Sequence, residues 1–204
     1  MFLGALAGEA PKDLVQKPEL PPSGPKTPKP DWGILNCMKR LTIGADACTE
    51  TLALLITMAW ADGRLDEKEK AGVLAAASVF NLTKELRDRI DQILDKPMPV
   101  EELLVESLSA RDKSFAFVAA AWMSGVDSEV DEKEKQLLDK AAELLGLNAA
   151  RQKELLQIAR DLEPLRKGAG GQASDASWTT EIVALFKAIP ARLEGDGDFE
   201  VAFE

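Results

Sequence analysis

The chain has 204 residues, 46% of them hydrophobic, which is enough for one good core and predicts one domain with appended arms. Its formal charge of −10 argues against binding a phosphate backbone and favours cationic partners or divalent ions, so no nucleic-acid partner is expected. Histidine and tyrosine are both absent, which removes the commonest general base, the commonest transition-metal ligand and every phenol-based mechanism.

The chain opens on an apolar tip, Met1–Gly8, that lacks the basic start and the length of a secretory signal, so a cytoplasmic location is expected. Seven of the eleven prolines then fall between residues 9 and 30. Such a stretch cannot be helical and predicts an extended, polyproline-like arm, either a loose tail or a tether that lies along a protein partner. Cys37 and Cys48 lack the CxxC spacing of a redox or zinc site and read as reduced, partly buried thiols.

From residue 31 to about 163 the signals are helical. A first helix starts at Thr49 or Thr51 and ends near Ala61, with Gly63 as the flexible residue at its exit. Asp66 caps a second, whose Val73, Leu74, Ala77 and Phe80 share one face. Asn81-Leu82-Thr83 breaks it and caps a third running to about Leu94, and the prolines at 97 and 99 stop that one and open a short helix from Val100 to Leu108. Phe115–Met123 is an apolar helix like the first. Asp131–Leu145 follows, with Gly146 at its C-terminus, and Asn148 caps Ala149–Leu162. The expected fold class is all-α: a compact bundle of about seven helices and no strand, built from two pseudo-symmetric helical hairpin repeats. The alanine-rich entry helices are pictured at the centre, packed antiparallel. Their apolar runs, Leu52–Ala61 and Phe115–Met123, are too short to cross a bilayer, so no transmembrane segment is expected and any membrane association would be peripheral.

After Pro164 the composition turns to glycine, alanine and serine, a flexible linker over residues 164–177. Beyond it Trp178, Ile182, Leu185, Phe186 and Ile189 line one face of a short helix ended by Pro190. Alone such a helix is marginal, so it docks either on a protein partner or back on its own core. The chain closes on an acidic tail, Glu194–Glu200, expected to be flexible.

The most informative feature is a motif that occurs twice. Ala61-Asp62-Gly63-Arg64-Leu65-Asp66-Glu67-Lys68-Glu69-Lys70 returns as Val126-Asp127-Ser128-Glu129-Val130-Asp131-Glu132-Lys133-Glu134-Lys135, and the register holds without a gap to Thr83 and Asn148. Asp62, Asp66 and Glu69, with Asp127, Glu129, Asp131 and Glu134, form oxygen-rich clusters suited to calcium or magnesium, hard cations that take several carboxylate and carbonyl ligands. This is no EF-hand: Arg64 stands at the third loop position, Glu67 at the glycine position and Val73 at the bidentate-glutamate position. A second reading needs no ion. Asp66-x-x-Glu69 and Asp131-x-x-Glu134 have the spacing of capping boxes, which leaves Asp62 and Asp127 as turn residues.

The stretch Ala59-Trp60-Ala61-Asp62-Gly63-Arg64-Leu65-Asp66-Glu67-Lys68-Glu69 resembles the TerB-like family, the domain of bacterial tellurite-resistance TerB and of the N-terminus of certain DnaJ-type membrane co-chaperones. The likeness covers roughly Thr49 to Leu162 and departs from the family pattern at Ser128, where glycine is usual. It implies an all-α bundle with an acidic, metal-holding patch, acting without catalysis in stress-response assemblies near a membrane. The residues themselves point away from an enzyme, because exposed carboxylates at helix starts have lowered rather than raised pKa values. The alternative is a metal-free adaptor subunit of a larger complex, anchored through its two terminal segments.

Overall fold

Strand β1 (Lys39–Ile43) leads into α1 (Ala45–Ala59), α2 (Glu67–Val79) and α3 (Lys84–Asp95), then two 3-10 turns (Val100–Glu102 and Val105–Ser107). Helices α4 (Ala110–Met123), α5 (Glu132–Leu144), α6 (Ala149–Asp161), the single turn α7 (Pro164–Lys167) and α8 (Asp175–Glu194) follow, and β2 (Phe199–Phe203) closes the chain. The computed structural model describes residues 39–65, 67–96, 98–125, 132–167, 175–195 and 199–204. The fold is all-α, with one small two-stranded sheet.

Helices α1 and α4 are apolar on every side, so each must be surrounded. All residues of α1 from Ala47 to Ala59 are buried, as are those of α4 from Ser114 to Trp122. Three of the hydroxyls they carry are satisfied within the helix: Thr49 and Thr57 each donate to the carbonyl four residues back, at 2.8 Å, and Ser114 donates to Ala110 at 2.9 Å, whereas that of Thr51, also buried, has no hydrogen-bond partner among the described residues. Thr49 is therefore inside α1 rather than its cap, and the helix begins four residues earlier than its threonines suggested. Elsewhere the capping signals hold. Thr83 and Asn148 accept from the backbone N–H groups of Leu86 and Arg151, and Gly63 (φ 90°) and Gly146 (φ 69°) take left-handed conformations at helix exits.

The two central helices run in the same direction, contrary to the antiparallel expectation. At the start of α4, Arg111 Nη2 donates to the carbonyl of Thr42, just before α1, at 2.7 Å. At the other end Met58 and Ala59 of α1 share a small cavity with Met123 and Ser124, which close α4. Start thus meets start and end meets end, although α1 alone spans about 22 Å at the helical rise per residue.

Three other expectations are corrected. The segment from Val100 to Leu108 forms two 3-10 turns, not a helix. Helix α8 passes through Pro190, which is buried, and continues to Glu194; a proline removes one backbone bond, and tertiary burial of Ile189 and Pro190 holds the helix across it. The end of the chain forms a strand, β2, which pairs in parallel with β1 in the register Lys39↔Phe199 to Ile43↔Phe203, while residues 196–198 of the expected acidic tail lie outside the described set. Of the expected linker, residues 168–174 lie outside the described set, while α7 and the start of α8 occupy its ends.

Helix α8 does not present its apolar face to a partner. Ile182, Leu185, Phe186 and Ile189 are fully buried in the chain's own core; the side chain of Trp178 lies outside the described set. Phe186 stacks on Phe80, the residue just past α2, with ring centroids 4.9 Å apart, and meets Phe115 of α4 at 5.5 Å and Phe203 of β2 at 6.1 Å. Ile182, Leu185, Phe186 and Ile189 are thereby spent on the chain's own core. Phe186→Ala is expected to cost about 3–5 kcal/mol in chemical denaturation, whereas Lys187→Ala, on the exposed side of the same helix, changes stability by under about 0.5 kcal/mol. Equal, small effects at both positions would contradict this packing.

Candidate functional site

The first acidic loop leaves α1 through a turn. Gly63 N–H donates to the Trp60 carbonyl at 2.9 Å, and the Asp62 carboxylate, exposed, accepts from the Arg64 N–H at 2.8 Å. Asp62 is therefore an Asx-turn residue, the role left to it when the capping-box reading is applied. Asp66, Asp127, Glu129 and Asp131 lie outside the described residues. The two remaining carboxylates of the motif come together. Glu69, third residue of α2, and Glu134, third residue of α5, are both half-buried and line one cavity of about 30 Å³.

That cavity is closed by Leu55, Met58 and Ala59 of α1 and by Met123 and Ser124 at the end of α4. Its volume suits one water or one ion. The parallel course of α1 and α4 is what creates it: equivalent helix exits fall at the same end of the molecule, so equivalent residues of the two motifs meet there. Among the described residues no group of three potential ligands converges closely enough to hold a metal by itself.

A family model described as a protein of unknown function, DUF533, matches residues 2–159. The chain belongs to the DUF533 family. No curated protein and no solved structure matches it. The matched stretch contains both acidic motifs and ends within α6, so α8 and β2 of this DUF533 chain, which complete its core, fall beyond it.

One chemistry-bearing group of the DUF533 chain escapes a motif search. Glu50 is only 4% exposed inside α1; Arg89 Nη1 of α3 pairs with it at 2.7 Å, and the Leu104 N–H donates to its other oxygen at 2.8 Å. With both oxygens engaged, Glu50 ties α1 to α3 and to the segment between the 3-10 turns. It is a structural carboxylate, and the only hint in the sequence is an acid between two threonines in a helix otherwise built of apolar residues. Cys48, by contrast, was recognised as a lone thiol. Burial, reinforced by the negative charge of Asp112, pushes its pKa up to about 12, against a smaller lowering by the Cys48 backbone; the thiol donates weakly to the Ile43 carbonyl at 3.7 Å. Cys37 lies outside the described residues.

An unfolded thiol ionises near 9.0 while the buried one keeps its proton to about 12. Between those values the unfolded chain binds fewer protons, so this group makes stability fall as pH rises and contributes nothing to pH dependence below about 8. In a Cys37→Ser variant, Cys48 is expected to resist a disulfide reagent at pH 8 in the native state and to react at once in denaturant. Fast native-state labelling would contradict the burial.

Proposed function

We propose that this chain is a non-enzymatic, acidic helical module of the TerB-like kind that holds one divalent cation, calcium or magnesium, between its two acidic motifs. The observation that carries the reading is the shared cavity of Glu69 and Glu134. Two carboxylates one repeat apart face a space of single-ion size, and hard cations favour several oxygen ligands at such a point. The C-terminal ends of α1 and α4 abut the same space, and their partial negative charge offsets the positive ends of α2 and α5, where Glu69 and Glu134 sit. Asp66, Asp127, Glu129 and Asp131 belong to the same two sequence motifs and are the candidates for the remaining ligands.

The wider role follows from what such a site is good for. An ion that bridges the starts of α2 and α5 fixes the two motifs relative to each other, which suits an interaction module in a stress-response or membrane-associated assembly. No helix among the described residues is long and apolar enough to cross a membrane. With the apolar face of α8 buried, protein partners are left to the proline-rich N-terminal arm rather than to both termini. The alternative, a metal-free adaptor, is favoured by one observation: Asp62 already has a turn role that needs no ion.

Melting temperature distinguishes the two. A cation that binds only the folded state stabilises it by about 2.7 kcal/mol at a hundredfold excess over its Kd, roughly 5–10 °C for a domain of this size. Calcium, magnesium or manganese added after EDTA treatment is expected to raise Tm by that order, and Glu69→Gln/Glu134→Gln is expected to remove the response. An unchanged Tm in the unsubstituted protein at millimolar cation would favour the metal-free adaptor.

A further inference from the structure

At the opposite end of α4 from the acidic cavity, about 20 Å away along the helix, the charge of the molecule is locally inverted. A groove of about 580 Å³ opens between the start of α4, the turn from α5 to α6 and the end of α8. In a chain with 35 acidic and 25 basic residues, its wall carries Arg111, Lys113 and Arg151 against the single carboxylate of Glu194. Volumes of several hundred Å³ are typical of small-molecule sites.

Both guanidinium groups are held in place by neutral oxygens. Arg111 Nη2 donates to the Thr42 carbonyl at 2.7 Å, and Arg151 Nη2 donates to Ser114 Oγ at 3.1 Å, a hydroxyl itself fixed by its bond to Ala110. Arg151 also has a carboxylate, Glu154, at 2.8 Å on its own helix. Arg111 does not have one at bonding distance. Its acid contacts are the longer ones to Asp112 at 3.8 Å and Glu194 at 3.9 Å, and its buried Nε has no hydrogen-bond partner among the described residues. Lys113 makes no ion pair among the described residues. The groove therefore holds cationic donors whose positions are fixed and whose charge is incompletely paired.

We propose that this groove binds a small phosphorylated molecule through Arg111, Lys113 and Arg151. Forked guanidinium groups match the oxygens of a phosphoryl group, and three cations drawn from two helices match its double charge better than that of a single carboxylate. Size follows from the electrostatics. Within a Debye length of about 8 Å the three local cations dominate, but a nucleic acid or an anionic membrane would extend beyond it and meet the repulsion of a chain carrying −10. Glu194, facing Arg111 across the groove, competes with the ligand for that side chain.

The test uses the full chain and glycerol 3-phosphate as probe, at constant ionic strength, with backbone amide shifts followed by NMR. Saturable shifts are expected at Lys113, Asn148 and Arg151. Lys113→Glu, at a half-buried position that makes no ion pair among the described residues, should weaken binding by at least about tenfold, the loss of one charge-assisted contact. Glu194→Gln should tighten it, by removing the competing carboxylate. Shifts that stay linear to ~20 mM, a Kd too weak to count as a site, would overturn the proposal. So would unchanged affinity in Lys113→Glu, or association with phosphatidic-acid vesicles in the absence of any response to the soluble probe.

Discussion

The burial of α1 and α4 on every side, and their packing start to start and end to end, is the constraint on which the rest of this structure depends. A helix apolar all round cannot sit at a surface, so two of them require a shell. Helices α2, α3, α5, α6 and α8 supply it, and the larger polar groups trapped inside α1 and α4 are engaged: Glu50 by Arg89 and the Leu104 N–H, and the indole of Trp122 by the Leu162 carbonyl at 3.0 Å. Had the central pair been antiparallel, the exits of α1 and α4 would lie at opposite ends and Glu69 and Glu134 would not meet. Direction of packing, more than any single residue, determines what the acidic motifs can do.

Much of the helical content was legible because local chemistry marks it. Thr83, Asn148, Gly63 and Gly146 sit where caps and exits require them, and they take those roles here. The failures arise where tertiary context overrides local preference. Pro190 reads as a stop, yet the burial around it carries α8 onward to Glu194. The sheet was invisible because each strand has five residues and its partner lies some 160 residues away along the chain, as Lys39↔Phe199 shows; two strands alone are marginal, and Ile43 and Phe203 stabilise this pair by packing into or against the core. The apolar face of α8 was legible as a face. What it covers was not, since periodicity shows that a surface must be buried and says nothing about against what.

The same division holds for the sites. The duplicated motif could be read directly, and with it Glu69 and Glu134, but their convergence depends on the direction of α4 relative to α1, a property that no local pattern encodes. Asp62 illustrates the opposite case: an aspartate followed by glycine is a turn signal, and the turn is what it makes. The basic groove left no motif at all. Its residues, Arg111 and Lys113 of α4 and Arg151 of α6, come from two helices of an acidic chain, and only the fold gathers them. On the readings proposed here α4 thus separates two opposite electrostatic environments, an acidic one at its exit and a basic one at its start.

On the proposed reading one ion sits between the two motifs rather than one in each loop. Anomalous diffraction from a crystal grown with manganese addresses it most directly. A single peak bridging the carboxylates of Glu69 and Glu134 is the predicted result. Two separate peaks, one beside each loop, or none at a saturating concentration with both glutamates ordered, would contradict it.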